Sequence, residues 1–136
     1  MTGSKIFVAG HNGLLGSAIV RRLQGSGFSN IMTEDRARLN LLEQQSVQKW
    51  FKDNRPEFVF LSAAKVGSIV MNKQFPADFS YENLQIQCNV IDSSFRSGCK
   101  KLVFVGSSAA YPDSDMPMSE ESLLSKPLDG SNEAYS

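Results

Sequence analysis

A single histidine, two cysteines and an even balance of charge set the first limits on this chain of 136 residues. With His11 alone, neither a Ser-His-Asp triad with a separate base nor a multi-histidine metal site can be assembled. Cys88 and Cys99 lack metal-ligand spacing and a disulfide framework, so both are expected as free thiols of a reducing compartment. Fourteen Lys and Arg against fourteen Asp and Glu leave no electrostatic surplus for the phosphates of nucleic acid or for an anionic membrane surface. No apolar run approaches the roughly 20 residues that span a bilayer, and Met1 to Lys5 leads into a strand-like segment without a signal-peptide core. The expectation is a cytoplasmic protein with no metal and with neither nucleic acid nor membrane as partner.

What is present is ordinary globular chemistry, 41% hydrophobic and 21% charged, in about one domain's length. Lys5 to Ala9 (KIFVA) is an apolar run without polar alternation, the pattern of a strand buried on both faces of a parallel sheet. From Leu14 the period changes to that of an amphipathic helix, with Leu15, Ile19 and Leu23 at spacings of four, stopped near Gly25 and Gly27. Asn30 to Thr33 is a weaker strand, and Leu42 to Asn54 a second helix carrying Val47, Trp50 and Phe51 before Pro56. Glu57 to Ala64 and Lys101 to Val105 are two further strands. Between them, after a loop with Gly67 and Pro76, Leu84, Cys88, Ile91 and Phe95 form one helical face that ends by Gly98. Gly106 to Gly130, rich in Ser, Pro, Asp and Gly, reads as a long surface loop. This alternation predicts an α/β fold, a Rossmann-type doubly wound parallel sheet cut short after about four strands.

The turn after the first strand, AGHNGLLGSA, places Gly10, Gly13 and Gly16 as G-x-x-G-x-x-G between strand and helix. The first glycine permits the tight turn, the second admits a pyrophosphate against the backbone, and the third lets the helix pack closely on the sheet. Dinucleotide binding is expected, with a plain tight turn as the alternative. After the second strand, Thr33 to Arg38 offers both signs of charge: an acidic residue would accept from a free ribose 2′-hydroxyl, whereas Arg36 or Arg38 would clamp a 2′-phosphate. Solvated loop charge is the bland alternative.

Gly106, Ser107 and Ser108 follow the fourth strand, at the carboxyl end of the sheet where open α/β folds place their ligands. A hydroxyl there either bonds a substrate carbonyl or caps a turn. Tyr135 is open in the same way, between chemistry and packing. No G-x-S-x-G elbow is present, which argues against a hydrolase.

Taken together, AGHNGLLGSAI, LNLLE, AAKVGSIV, PADF, NVI, KLVFVGSSAAYP and NEAYS resemble the extended short-chain dehydrogenase/reductases, in the branch acting on GDP-4-keto-6-deoxy sugars. The match runs from Lys5 to the last residue. The resemblance implies NADP(H), a homodimer formed largely through two helices, and two stages of reaction. These stages are epimerisation at C3 and C5 of a GDP-4-keto-6-deoxy-hexose, then hydride transfer to C4. The segment from Asp78 to Phe95 is a candidate for one of the two helices, with packing of its apolar face on the sheet as the alternative. The resemblance assigns Gly10, His11, Asn12, Gly13, Leu14, Leu15 and Gly16 to the pyrophosphate turn and Arg36 to the 2′-phosphate. Asn40 and Leu41 would lie near the adenosine, and Ala63, Ala64, Val105, Gly106, Ser107 and Ser108 along the cofactor cleft. Ser107 would hydrogen-bond the C4 carbonyl and Tyr135 would deliver the proton to it.

The chain departs from that family at two places. Asn12 stands where an arginine often provides a second 2′-phosphate ligand, which weakens the preference for NADP over NAD. Ala109 stands where a cysteine transfers protons in epimerisation, so reduction with little or no epimerisation is expected, or epimerisation through a relocated acid/base. A related dehydratase would need acids that Ala109 and Ala110 do not supply. The resemblance also calls for a lysine four residues after Tyr135 and for a C-terminal sugar-binding region. Residues 1–136 therefore read as an incomplete N-terminal NADP-binding domain, inactive as an isolated fragment. A non-catalytic dinucleotide-binding or regulatory module is the competing class.

Overall fold

The computed structural model describes residues 2–112, 119–123 and 125. The chain divides into two compact units, Met1–Ala64 with Asn83–Val105, and Lys65–Glu82 with Gly106–Ser136.

The first unit is built on a four-stranded parallel sheet in the order β2-β1-β3-β4. β1 (Ile6–Ala9) is buried at every residue, as its unbroken apolar run requires of a central parallel strand. It pairs with β2 (Ile31–Met32) on one side and β3 (Phe58–Leu61) on the other, with Ile6 opposite both Ile31 and Phe58. β4 (Lys101–Phe104) pairs with β3, Phe58 opposite Lys101. The ladders are shorter than the apolar runs. Past the carboxyl end of β3, the Ser62 N–H and Oγ–H both donate to the Ala9 carbonyl, at 3.1 and 2.8 Å. This is the Rossmann-like α/β arrangement expected from the sequence.

α1 (Leu14–Gly25) and α2 (Gln44–Asn54) are the helices between the first three strands. α2 buries Val47 and Phe51. Phe51 meets Phe7 of β1 edge-on at 5.7 Å between ring centres, and the Trp50 ring lies 4.3 Å from Phe7. Phe7, Phe51, Val47, Val59, Leu61 and Val90 form the centre of the core. Full burial of each large side chain contributes about 1.5–3 kcal/mol.

α3 (Ile69–Gln74) is a short helix inside the segment expected to be loop, started by Ser68, whose Oγ accepts from the Met71 N–H at 3.3 Å. α4 (Pro76–Arg96) follows, with proline at its first position, where the missing N–H costs nothing. The apolar face read from Leu84, Cys88, Ile91 and Phe95 is not its packed face. All four are exposed, Phe95 at 85%, while Ile86, Asn89, Val90, Ser93 and Ser94 turn inward. The small serines let the helix lie close to its neighbours, a feature that apolar periodicity does not register.

Candidate functional site

The turn between β1 and α1 is held by backbone contacts that leave no room for side chains at two of its three glycines. Gly10 has φ +86°, and a Cβ on it would come within 2.7 Å of the Ala63 nitrogen beyond β3. A Cβ on Gly16 would meet the Gly10 carbonyl oxygen at 2.1 Å, so α1 packs directly on the turn. Gly13 differs. Its φ is −75°, and an added Cβ would stand 3.4 Å from the Gly10 oxygen, an ordinary contact. The fold thus explains Gly10 and Gly16 but leaves an open, exposed space above Gly13, which suits a ligand that approaches the backbone there.

Gly13 is also the N-cap of α1 and brings no side-chain cap, so the first-turn amides have no intrahelical acceptor. Leu14 and Leu15 stand exposed on the same turn, Leu14 at 94%. Ser17 closes the turn, its N–H donating to the Gly13 carbonyl at 2.9 Å.

Past β2, the charges of both signs resolve into two kinds. The Trp50 indole N–H donates to Glu34 Oε1 at 3.1 Å, and Asn12 Nδ2 donates to Asp35 Oδ1 at 2.8 Å. His11 Nε2 lies 3.6 Å from the same Asp35 oxygen. Both carboxylates are therefore engaged. Arg36 and Arg38 are exposed, and neither guanidinium makes an ion pair or hydrogen bond among the described residues. Asp35 to Leu39 form a tight turn in which the Arg38 and Leu39 N–H groups both donate to the Asp35 carbonyl at 2.9 Å.

Asn40 and Leu41 are fixed rather than free. Asn40 Oδ1 accepts from the Leu42 N–H at 3.2 Å, and the Leu41 carbonyl accepts from Asn89 Nδ2 of α4 at 2.8 Å. Gln85 in turn donates to Asn89 Oδ1. Asn89, to which the sequence assigned no role beyond its place in the NVI segment of the family resemblance, is buried. Ala63 lies against Gly10, Ala64 is exposed, and Val105 continues the β4 pairing through its N–H to the Leu61 carbonyl.

In the second unit, Ser107 caps a 3₁₀ turn, Ser108–Ala110. Its Oγ accepts from the Ala109 N–H at 3.1 Å, which leaves the hydroxyl proton available to donate elsewhere. Gly106 has open space where a Cβ would stand, and Ser108 is exposed. In the same unit Lys65 pairs with Glu82 and lies over the Phe79 ring, against which Gly67 is packed too closely to carry a Cβ. Tyr135 lies outside the described residues. Among the described residues no three His, Cys, Asp or Glu side chains gather as a metal site, and no helix is long and apolar enough to cross a membrane.

A G-x-x-G-x-x-G turn between strand and helix on a parallel sheet defines a class, and residues 6–136 match the model of the NAD dependent epimerase/dehydratase family. The chain belongs to that family. Within it, the chain is similar to GDP-L-fucose synthases. It is 50% identical over 133 residues to GDP-L-fucose synthase 1 of Arabidopsis thaliana, covering 97% of this chain and 41% of that protein. It is 42% identical over 136 residues to GDP-L-fucose synthase of Escherichia coli, covering 99% of this chain and 42% of that protein. Among solved structures, MlghC, a GDP-mannoheptose C4 reductase from Campylobacter jejuni with NADP bound, superimposes with a TM-score of 0.94 at 44% identity, over 99% of this chain and 43% of the other. The chain thus spans about two fifths of the length of the proteins it matches.

Proposed function

We propose that this chain is the NADP(H)-binding part of an enzyme that reduces a GDP-4-keto-6-deoxy-hexose at C4. The observation that carries this reading is the pairing of the open Gly13 turn with a loop after β2 whose carboxylates are engaged and whose Arg36 is not. The turn takes the pyrophosphate and Arg36 takes the 2′-phosphate. When bound, NADPH supplies hydride. Ser107, whose oxygen accepts from the Ala109 N–H, donates its proton to the C4 carbonyl and orients it. Tyr135 provides the proton for the C4 oxygen. A free phenol has a pKa of about 10, so this role needs positive charge close to it.

Ala109 carries a methyl group, which exchanges no proton, so the reaction proceeds with little or no epimerisation at C3 and C5, a relocated acid/base being the alternative. The similarity to MlghC, named as a C4 reductase, supports this reading. The enzyme acts in the cytoplasm as a homodimer; the exposed Leu84, Cys88, Ile91 and Phe95 of α4 support the second copy. The test is incubation of the intact enzyme with NADPH and GDP-4-keto-6-deoxymannose in heavy water, read by NMR. Oxidation of NADPH without deuterium at C3 or C5 is expected. Deuterium at both carbons would restore an epimerase, and no oxidation would remove the reductase.

A further inference from the structure

Asp35 and Arg36 are neighbours in sequence at the carboxyl end of β2, one carboxylate beside the one guanidinium assigned to a phosphate. The Asp35 side chain is 65% exposed, so packing does not fix its direction. What does hold it is a hydrogen bond across the glycine turn, Asn12 Nδ2 to Asp35 Oδ1 at 2.8 Å, between residues 23 apart in the chain. His11 Nε2, at 3.6 Å, is too distant to hydrogen-bond the same oxygen.

We propose that Asn12 is a positioning residue for cofactor choice: by tethering the Asp35 carboxylate to the glycine turn, it keeps Arg36 available to a 2′-phosphate. This inference rests on the NADP(H) reading above. A carboxylate released from Asn12 has two courses. It pairs with the adjacent Arg36 guanidinium, or it stands free beside the incoming phosphate. Both oppose a dinucleotide bearing a 2′-phosphate. Neither opposes a free ribose hydroxyl, which can donate to the carboxylate. The consequence is a change in the ratio of the two affinities rather than in cofactor binding as such.

The test is calorimetric titration of the full chain with NADP+ and with NAD+. Asn12→Ala is expected to lower the NADP+ over NAD+ affinity ratio about five- to tenfold, a modest effect because the groups are exposed to water. Asn12→Ala combined with Asp35→Asn is expected to return the ratio to within about twofold of the unsubstituted chain, since the harm is done by the carboxylate that the first change releases. Asn12 is exposed, and circular dichroism melts show whether each variant folds as the parent does. A ratio unchanged in Asn12→Ala, or not restored in the double variant, overturns the inference while leaving NADP(H) binding in place. Failure of the unsubstituted chain to bind NADP+ overturns the reading on which it rests, and the inference with it.

Discussion

Two thiols in one chain meet different surroundings, and their chemistry should separate accordingly. Cys88 is exposed on α4. Cys99 is half-buried, with its Sγ–H directed to the Glu57 and Lys101 carbonyls, and burial pushes its thiol above the ordinary cysteine range, in part offset by the Lys101 contact. The thiolate is the nucleophile, so in the dissociated single chain, where no second copy covers α4, Cys88 should react with a disulfide reagent at neutral pH well before Cys99. Time-resolved thiol titration of the monomeric Phe95→Glu chain, repeated with Cys88→Ser added, checks this; equal rates would contradict the placement of Cys99.

Glu57 supplies a pH dependence of the opposite kind. Its hydrogen bond from Lys100, and then that from the Lys5 N–H, hold its carboxyl below the ordinary value of 4.5. A carboxylate depressed in the folded state stabilises the fold above its unfolded pKa, and that contribution fades as pH falls through the lower folded value. Glu57→Gln should therefore lower the urea midpoint near pH 7 and make no difference in strong acid. Residues such as Arg36 and Ser107 were legible as candidates because charge and hydroxyl chemistry show in the letters themselves. The tie between Asn12 and Asp35 was not, because only the fold brings the glycine turn to the loop after β2.

At the scale of elements, the strands and the first two helices could be read because burial on both faces and a 3.6-residue period leave different patterns. The ends could not. α2 stops at Arg55 in the left-handed conformation, φ 48°, directly before Pro56; it is the only non-glycine residue with positive φ among those described. Glycine takes that conformation without a Cβ penalty, so Arg55→Gly should raise stability by up to about 1 kcal/mol in denaturant unfolding. A loss would mean that the arginine side chain contributes more than its backbone costs. Asn89 is the converse case, a buried amide that joins α4 to the Leu41 carbonyl. Truncation to alanine strands that carbonyl and the Gln85 amide, with an expected cost of about 1–3 kcal/mol. The same change should weaken dinucleotide binding, because Leu41 belongs to the segment assigned to the adenosine. Unchanged affinity in a folded Asn89→Ala chain would detach that segment from the site.

For the molecule as a whole, α4 poses the question that periodicity answered on the wrong side. Leu84, Cys88, Ile91 and Phe95 recur at four, three and four residues, the spacing expected for a packed face, yet in the single chain they face outward. A stripe with this spacing is also the seam along which two helices pack at a shallow angle. If a second copy covers it, the apolar pattern is satisfied by association instead of by the sheet, and the sequence signal was sound while the surface it packs against was not legible from one chain. Sedimentation velocity should then show a concentration-dependent dimer. Phe95→Glu, which places a charge at the most exposed point of the stripe, should shift the chain to monomer with its circular dichroism unchanged. A monomer at every concentration, or a dimer indifferent to Phe95→Glu, would place the interface elsewhere and leave the stripe without a second copy to explain it.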